Sequence, residues 1–121
     1  GPDGRIYFAD PQRKRICRIL SSGSGLTCFM NGLTGSPSTI ITGPDGKLYF
    51  GEYEGYVGRL TTAGKIKEYK IPFVKGSQQW PVLGMTVGPD DNIWFANNEE
   101  GRIGVMEIAK KAKKKKKKKK K

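Results

Sequence analysis

Short apolar runs separated by turn residues dominate the hydrophobic pattern of this chain. The clearest are IYFAD at residues 6–10, LYFGE at 48–52 and IWFAN at 93–97. Runs of this kind, rich in β-branched and aromatic residues and bounded by Gly, Pro, Asp and Asn, are typical of β-strands. No segment shows the sustained 3.6-residue periodicity of an amphipathic helix. The pattern therefore predicts an all-β protein, with strands grouped as three, four and three along the chain.

One eight-residue phrase occurs three times. It reads GPDGRIYF from Gly1, GPDGKLYF from Gly43 and GPDDNIWF from Gly88, so successive copies begin 42 and 45 residues apart. Pro fixes its own φ and a following Gly accepts positive φ, so the phrase favours a tight turn between antiparallel strands. Asp91 replaces the exit glycine in the third copy, and Asp tolerates the left-handed conformation better than most residues. We expect a strand–turn–strand unit at each copy.

The runs that follow these turns are apolar on both strand faces, at residues 6–8, 48–50 and 93–95. Strands of this kind must be covered on both sides, and four-stranded antiparallel sheets stacked around an axis provide that cover. A period of about 40 to 50 residues is typical of such blades. The sequence thus predicts β-propeller blades over 1–109: a partial blade at 1–36, a full blade at 37–76 and a partial blade at 77–109.

The predicted blades are too few to close a ring. The first lacks its innermost strand and the third its outermost, so they amount to about two and a half blades, and closed propellers have about four or more. The apolar faces left open are expected to seek partners. A truncated piece of a longer propeller is the favoured interpretation; association with other copies of the chain and an open array are the alternatives.

Charge and hydropathy bear on which partners to expect. Residues 110–121 hold eleven lysines, and without them the chain has 12 basic and 11 acidic residues instead of 23 and 11, so its net charge falls from +12 to +1. We expect this poly-Lys tail to be disordered and favour an appended or artefactual tail over a nucleic-acid-binding arm. Nucleic acid is thus expected only as a non-specific partner of the tail. No apolar run approaches the ~18–20 residues of a membrane-spanning helix.

The repeat resembles that of the virginiamycin B (streptogramin B) lyase family and, more loosely, NHL-repeat and gluconolactonase-type propellers. The resemblance is carried by residues 37–72, PSTIITGPDGKLYFGEYEGYVGRLTTAGKIKEYKIP, and by residues 81–108, PVLGMTVGPDDNIWFANNEEGRIGVMEI. It implies blades of a seven-bladed propeller and an enzyme that linearises a cyclic depsipeptide antibiotic by metal-assisted elimination at its ester. A non-catalytic propeller that binds a protein or another ligand, as NHL-repeat proteins do, is the alternative, since one fold serves many functions.

Histidine is absent from all 121 residues. In the family, histidines and a glutamate near the central channel supply the base and the metal ligands, and one histidine lies in a Pro-His-Gly segment. Ser38 and Leu83 stand at the corresponding positions here. Without imidazole there is no His base, no His-activated nucleophile and no His metal site. We therefore assign no catalytic residue and expect no turnover by this chain alone.

Carboxylates are the remaining candidates for metal ligands. The family's glutamate after the aromatic run corresponds to Asp10, Glu52 and Asn97, which the repeat places at equivalent strand ends. Carboxylate oxygens suit Mg²⁺ or Ca²⁺, so Asp10 and Glu52 are the candidate metal ligands, with Mg²⁺ the cofactor that the resemblance implies. The alternative, which the sequence favours, is that these side chains cap strand ends and hydrogen-bond loop amides.

One insertion is the best candidate for ligand contacts. Gln78, Gln79 and Trp80 lie in the irregular segment KGSQQWP, which has no equivalent in the other repeats. Insertions on one face of a propeller often carry binding contacts. Trp94, in contrast, repeats Tyr7 and is expected in the core.

The two cysteines leave two possibilities open. Cys17 and Cys28 fall on neighbouring predicted strands, and if residues 21–25 form the turn they lie about one position out of register. A disulfide would suit an exported protein, whereas two buried free thiols are the more ordinary case and are favoured.

Overall fold

The structure, a computed structural model, describes residues 1–71, 81–97 and 102–108. These residues form strands and turns and contain no helix, so none that is long and apolar enough to cross a membrane. The ten strands are β1 (Ile6–Asp10), β2 (Arg15–Ile19), β3 (Thr27–Phe29), β4 (Pro37–Thr42), β5 (Leu48–Glu52), β6 (Tyr56–Leu60), β7 (Ile66–Lys70), β8 (Val82–Val87), β9 (Ile93–Asn97) and β10 (Arg102–Met106).

Three antiparallel sheets contain these strands, each in simple sequence order. β1 to β3 form the first blade, β4 to β7 the second and β8 to β10 the third. β4 contacts β1 on one side and β8 on the other, so the second blade lies between its neighbours. The prediction of all-β blades that do not close into a ring is confirmed over the described residues.

Each copy of the repeated phrase folds as the same self-contained turn. Its aspartate accepts the backbone N–H of the residue two positions later and a hydrogen bond from the aromatic side chain four positions later. The aromatic pairs are Asp3–Tyr7, Asp45–Tyr49 and Asp90–Trp94, at 2.8, 2.6 and 2.9 Å. The exit residue has positive φ in every copy, and Asp91 adopts it at 60°. A side chain on Gly43 would collide with the Tyr49 ring. The phrase recurs because each of its residues helps to close the turn.

Every blade has two faces, which strand alternation assigns. The forward face, which points towards the next blade in sequence, carries Tyr7 and Ile16 in the first blade, Tyr49 and Val57 in the second, and Trp94, Ile103 and Val105 in the third. The rear face carries Ile6 and Phe8, then Leu48 and Phe50, then Ile93 and Phe95.

The core consists of two layers in which a forward face packs on a rear face. Between the first and second blades, Ile16 packs against Leu48 and Phe50, all at most 2% exposed. Between the second and third, Val57 packs with Val82 and Phe95. Burial of such side chains stabilises a fold by about 1.5 to 3 kcal/mol each. The rear face of the first blade and the forward face of the third remain uncovered in the part of the chain described.

The cysteines form a disulfide, so the preference for two free thiols was wrong. Cys17 and Cys28 lie directly opposite each other in the β2–β3 pair, with 4.0 Å between their Cα atoms. β2 and β3 pair Ile16 with Phe29 and Arg18 with Thr27, one position away from the register that a turn at residues 21–25 would give.

Candidate functional site

The three strand ends that the repeat aligns, two of which were predicted to carry metal ligands, are equivalent in the structure. β1, β5 and β9 are the strands that follow the repeated turns, and they end at Asp10, Glu52 and Asn97. Asn97 is placed by its backbone pairing with Arg102. The two carboxylates have contrasting environments.

Asp10 is held in an ion-pair group within the first blade. Its Oδ2 atom lies 3.0 Å from Nε of Arg15 and 3.4 Å from a terminal nitrogen of Arg13. The hydrogen bond from Arg15 lowers the pKa of Asp10, with a smaller contribution in the same direction from Arg13. Asp10 is therefore a carboxylate whose charge is already balanced by two guanidinium groups.

Glu52 is enclosed in the second blade. Its side chain is 0% exposed, and neither carboxyl oxygen meets a hydrogen-bond donor among the described residues. The backbone of Gly35 presses on it so closely that any side chain there would overlap the carboxyl group. An ionised carboxylate in this position would lack compensation for its lost hydration.

Two further glutamates near Glu52 form hydrogen bonds with the loop between the first and second blades. Glu68 accepts the Thr34 N–H at 3.0 Å and the Thr34 hydroxyl at 2.7 Å. Glu54 accepts the Ser36 N–H at 2.8 Å. These two glutamates thereby join the turn after β5 and strand β7 to one connecting segment.

Glu52 interacts electrostatically with the two neighbouring glutamates. Burial, first of all, and then the proximity of Glu68 and the negative charges of Glu68 and Glu54 raise the pKa of Glu52 to about 9. Glu52 is thus protonated at neutral pH, which removes the cost of an unpaired buried charge. Burial alone would raise the pKa of Glu68 as well, but its interactions with Glu52 and with Thr34 lower it overall.

The residues in place do not fit a Mg²⁺ ion. Among the described residues no three Asp, Glu, Cys or His side chains come together in a way that could hold a metal. Asp10 is engaged by two arginines, and Glu52 is protonated and packed against Gly35. The assignment of Asp10 and Glu52 as metal ligands stays a prediction, and no chemical step is derived from it.

The positions that correspond to the family's histidine carry no acid–base group. Ser38 donates its hydroxyl to the Val82 carbonyl and so connects the second blade to the third. Leu83 is exposed, beside an irregularity in the β8–β9 pairing. Ser38 is therefore part of the scaffold that joins these two blades.

A groove that sequence reasoning missed lies on the forward face of the third blade. It measures about 600 Å³, and its lining includes Trp94, Ile103, Thr86 and Pro89. Trp94 was expected in the core, but it is only half-buried because no described sheet covers it. The available signal was the expectation that blades too few to close a ring leave apolar faces open. The predicted ligand contacts Gln78, Gln79 and Trp80 lie outside the described residues.

Antiparallel sheets of up to four strands, stacked face to face through a repeated turn, define this protein as a set of β-propeller blades. The chain belongs to the virginiamycin B lyase family, whose family model matches residues 1–118. A comparison with curated proteins finds no significant match.

Solved structures give the same result. Virginiamycin B lyase from Staphylococcus aureus is similar at 31% identity with a TM-score of 0.70, and a catalytically inactive His-to-Ala variant of it with quinupristin at 33% and 0.71. A streptogramin B lyase structure is similar at 28% and 0.68. Each match covers 89% of this chain. The chain spans 38–39% of the length of these proteins, well under half.

Proposed function

We propose that this chain supplies non-catalytic blades of a streptogramin B lyase-like propeller. The observation that carries the proposal is the family match of a chain that has no histidine. Its two histidine-equivalent positions hold Ser38 and Leu83 instead. The complete enzyme of this type opens a cyclic depsipeptide antibiotic by elimination at the ester, and these blades would contribute scaffold and surface to it.

The chemistry of elimination supports this division of roles. A base must remove a proton from carbon, and the charge that develops on oxygen must be stabilised. Glu52 is protonated at neutral pH, and Asp10 is engaged by two arginines, so neither serves as a free base. In the staphylococcal protein the inactive His-to-Ala variant was solved with quinupristin, which suggests that binding and catalysis are separable in this class.

The direct test incubates the 121-residue chain with a streptogramin B and Mg²⁺ and follows the antibiotic by liquid chromatography with mass detection. Elimination without water gives a linear isomer of unchanged mass and altered retention time, whereas hydrolysis adds one water. We expect neither product, while active staphylococcal enzyme run in parallel gives the isomer. Formation of the isomer by this chain would show that it carries its own base and would overturn the proposal.

A non-catalytic binding scaffold is the second candidate, favoured by the same lack of histidine and by the open apolar groove. Calorimetric titration with quinupristin separates the two. Binding without turnover supports blades of a lyase, and Trp80→Ala should then weaken it if the insertion makes contacts. Absence of binding in a folded chain favours a scaffold for another ligand. Leu26→Ala, at an exposed position of the first blade that does not line the groove, is the control.

A further inference from the structure

The rear face of the first blade is exposed at positions that are buried in the other two blades. Ile6 is 52% exposed and Phe8 is 39% exposed. Their equivalents in the second blade, Leu48 and Phe50, are 2% and 0% exposed, because the first blade covers them. The rear face of the first blade therefore has the composition of a blade interface without the covering sheet.

The forward face of the third blade shows the complementary pattern. Ile103 is 73% exposed, although its equivalents Ile16 and Val57 are almost fully buried. Trp94 and Ile103 line the groove of about 600 Å³, and Val105, paired with Trp94, extends the same apolar surface. None of the described residues that line this groove carries a charge.

The chain itself shows what covers such faces. A forward face packs on a rear face twice within it, once between the first and second blades and once between the second and third. Both contacts are formed mainly by aliphatic and aromatic side chains from equivalent strand positions. The two surfaces needed for a third contact of this kind are both present on one molecule. They lie at opposite ends of the stack of blades, so they cannot pack against each other within the chain.

We propose that the forward face of the third blade docks on the rear face of the first blade of a second copy of this chain. Trp94, Ile103 and Val105 of one copy then cover Ile6 and Phe8 of the other, as Tyr7 and Ile16 cover Leu48 and Phe50 within the chain. The contact is head-to-tail, so each copy keeps one free face and association continues into a ring or an open array.

The charge of the chain makes the association dependent on salt. Each copy carries eleven lysines in residues 110–121, and like charges on neighbouring copies repel each other. Salt screens this repulsion and strengthens apolar contacts. Association is therefore expected to become tighter as salt is raised, which is the opposite of the behaviour of an interface based on ion pairs.

Analytical ultracentrifugation of the full 121-residue chain over about a hundredfold range of concentration tests the proposal, at low and at high salt. Ile103→Lys and Ile6→Lys each place a charge at the centre of one face, and each should weaken association about 10- to 100-fold. Tyr53→Lys, at an exposed position of the second blade away from both faces, should associate as the original chain does. Circular dichroism checks that the variants are folded, as expected for positions that are more than half exposed in the single chain.

Mixing the two variants identifies the geometry. An Ile103→Lys chain retains its rear face and an Ile6→Lys chain retains its forward face, so the mixture should form one-to-one pairs and nothing larger. A chain that stays monomeric at every concentration and salt would overturn the proposal. Folded variants that associate as the original chain does would overturn it too, as would a mixture that forms no pairs.

Discussion

The first and second blades begin with nearly the same phrase but differ in what surrounds it. Phe50 of the second blade is fully buried and lies over Gly58, while its equivalent Phe8 is partly exposed and lies opposite Cys17. Glu52 is enclosed and protonated, whereas the equivalent Asp10 is ionised and bound to arginines. The same phrase therefore forms the same turn and strands in both blades, whereas the neighbouring sheet determines the burial and charge state of each side chain.

Truncation of the equivalent phenylalanines should give the largest contrast. Phe50→Ala removes a ring from the centre of the core and should destabilise the fold by about 3 to 5 kcal/mol. Phe8→Ala should cost about 1 kcal/mol, because part of its surface is already in water. Urea unfolding at low protein concentration, where copies do not associate, measures both. Equal losses in the free energy of unfolding would show that the rear faces of the first and second blades are equally buried.

The disulfide should be the next largest contribution, and it is confined to the first blade. Cys17 and Cys28 are 11 residues apart, and closing a loop of that length in the unfolded chain is worth about 3 kcal/mol. Reduction should therefore lower the urea midpoint. A Cys17→Ala/Cys28→Ala double variant provides the control, since its midpoint should be low and indifferent to reductant. A midpoint of the original chain that reductant leaves unchanged would contradict the prediction.

The glycine beneath Phe50 should tolerate no side chain. A Cβ at Gly58 would overlap the Phe50 ring, and overpacking of this kind typically costs about 1 to 3 kcal/mol. Gly84→Ala is the matched control, because nothing lies within 4 Å of a Cβ there, and its cost should stay within about 0.5 kcal/mol. Thermal unfolding of both variants measures the difference, and similar melting temperatures would refute the close packing.

The pH dependence of stability should separate Glu52 from Asp10. The pKa of Glu52 is raised from 4.5 to about 9, so its contribution is complete below pH 4.5. It is lost as the pH rises towards 9, by up to about 1.4 kcal/mol per pH unit. Glu52→Gln, which resembles the protonated form, should flatten that slope in urea unfolding measured from pH 5 to 9.

Asp10→Asn is the matched control at the equivalent strand end. The pKa of Asp10 is lowered from 3.8, so its contribution is present above that pH and is lost only as the pH falls through the lowered pKa. The variant should leave the slope between pH 5 and 9 unchanged. A Glu52→Gln chain with the original slope would show that Glu52 is ionised throughout this range.

Much of the fold could be predicted from local sequence. The turn at Asp45 depends on residues within four positions of it, including the bond to Tyr49, and the same interactions recur at Asp3 and Asp90. Repetition of a local rule made the strands and their order predictable. The cysteine register was not, because it depended on the exact length of a hairpin turn rich in Ser and Gly, which the sequence does not specify.

The candidate site was predictable only as a set of equivalent positions. Sequence alignment placed Asp10 and Glu52 at matching strand ends. The partners that decide the state of Glu52 come from distant parts of the chain: Glu68, which also binds Thr34, and Gly35. No local pattern encodes such contacts, since they arise when sheets and connecting segments pack together.

The sequence by itself determined that this protein is built of repeated blades and that it carries no imidazole, because turn chemistry is local and composition needs no structure. Only the tertiary structure decided that Glu52 is protonated, that Cys17 meets Cys28 and that Ile6 and Ile103 face solvent. The burial and the pairing of side chains depend on how the sheets pack against one another. Identical phrases therefore acquire different roles according to the sheet that lies next to them.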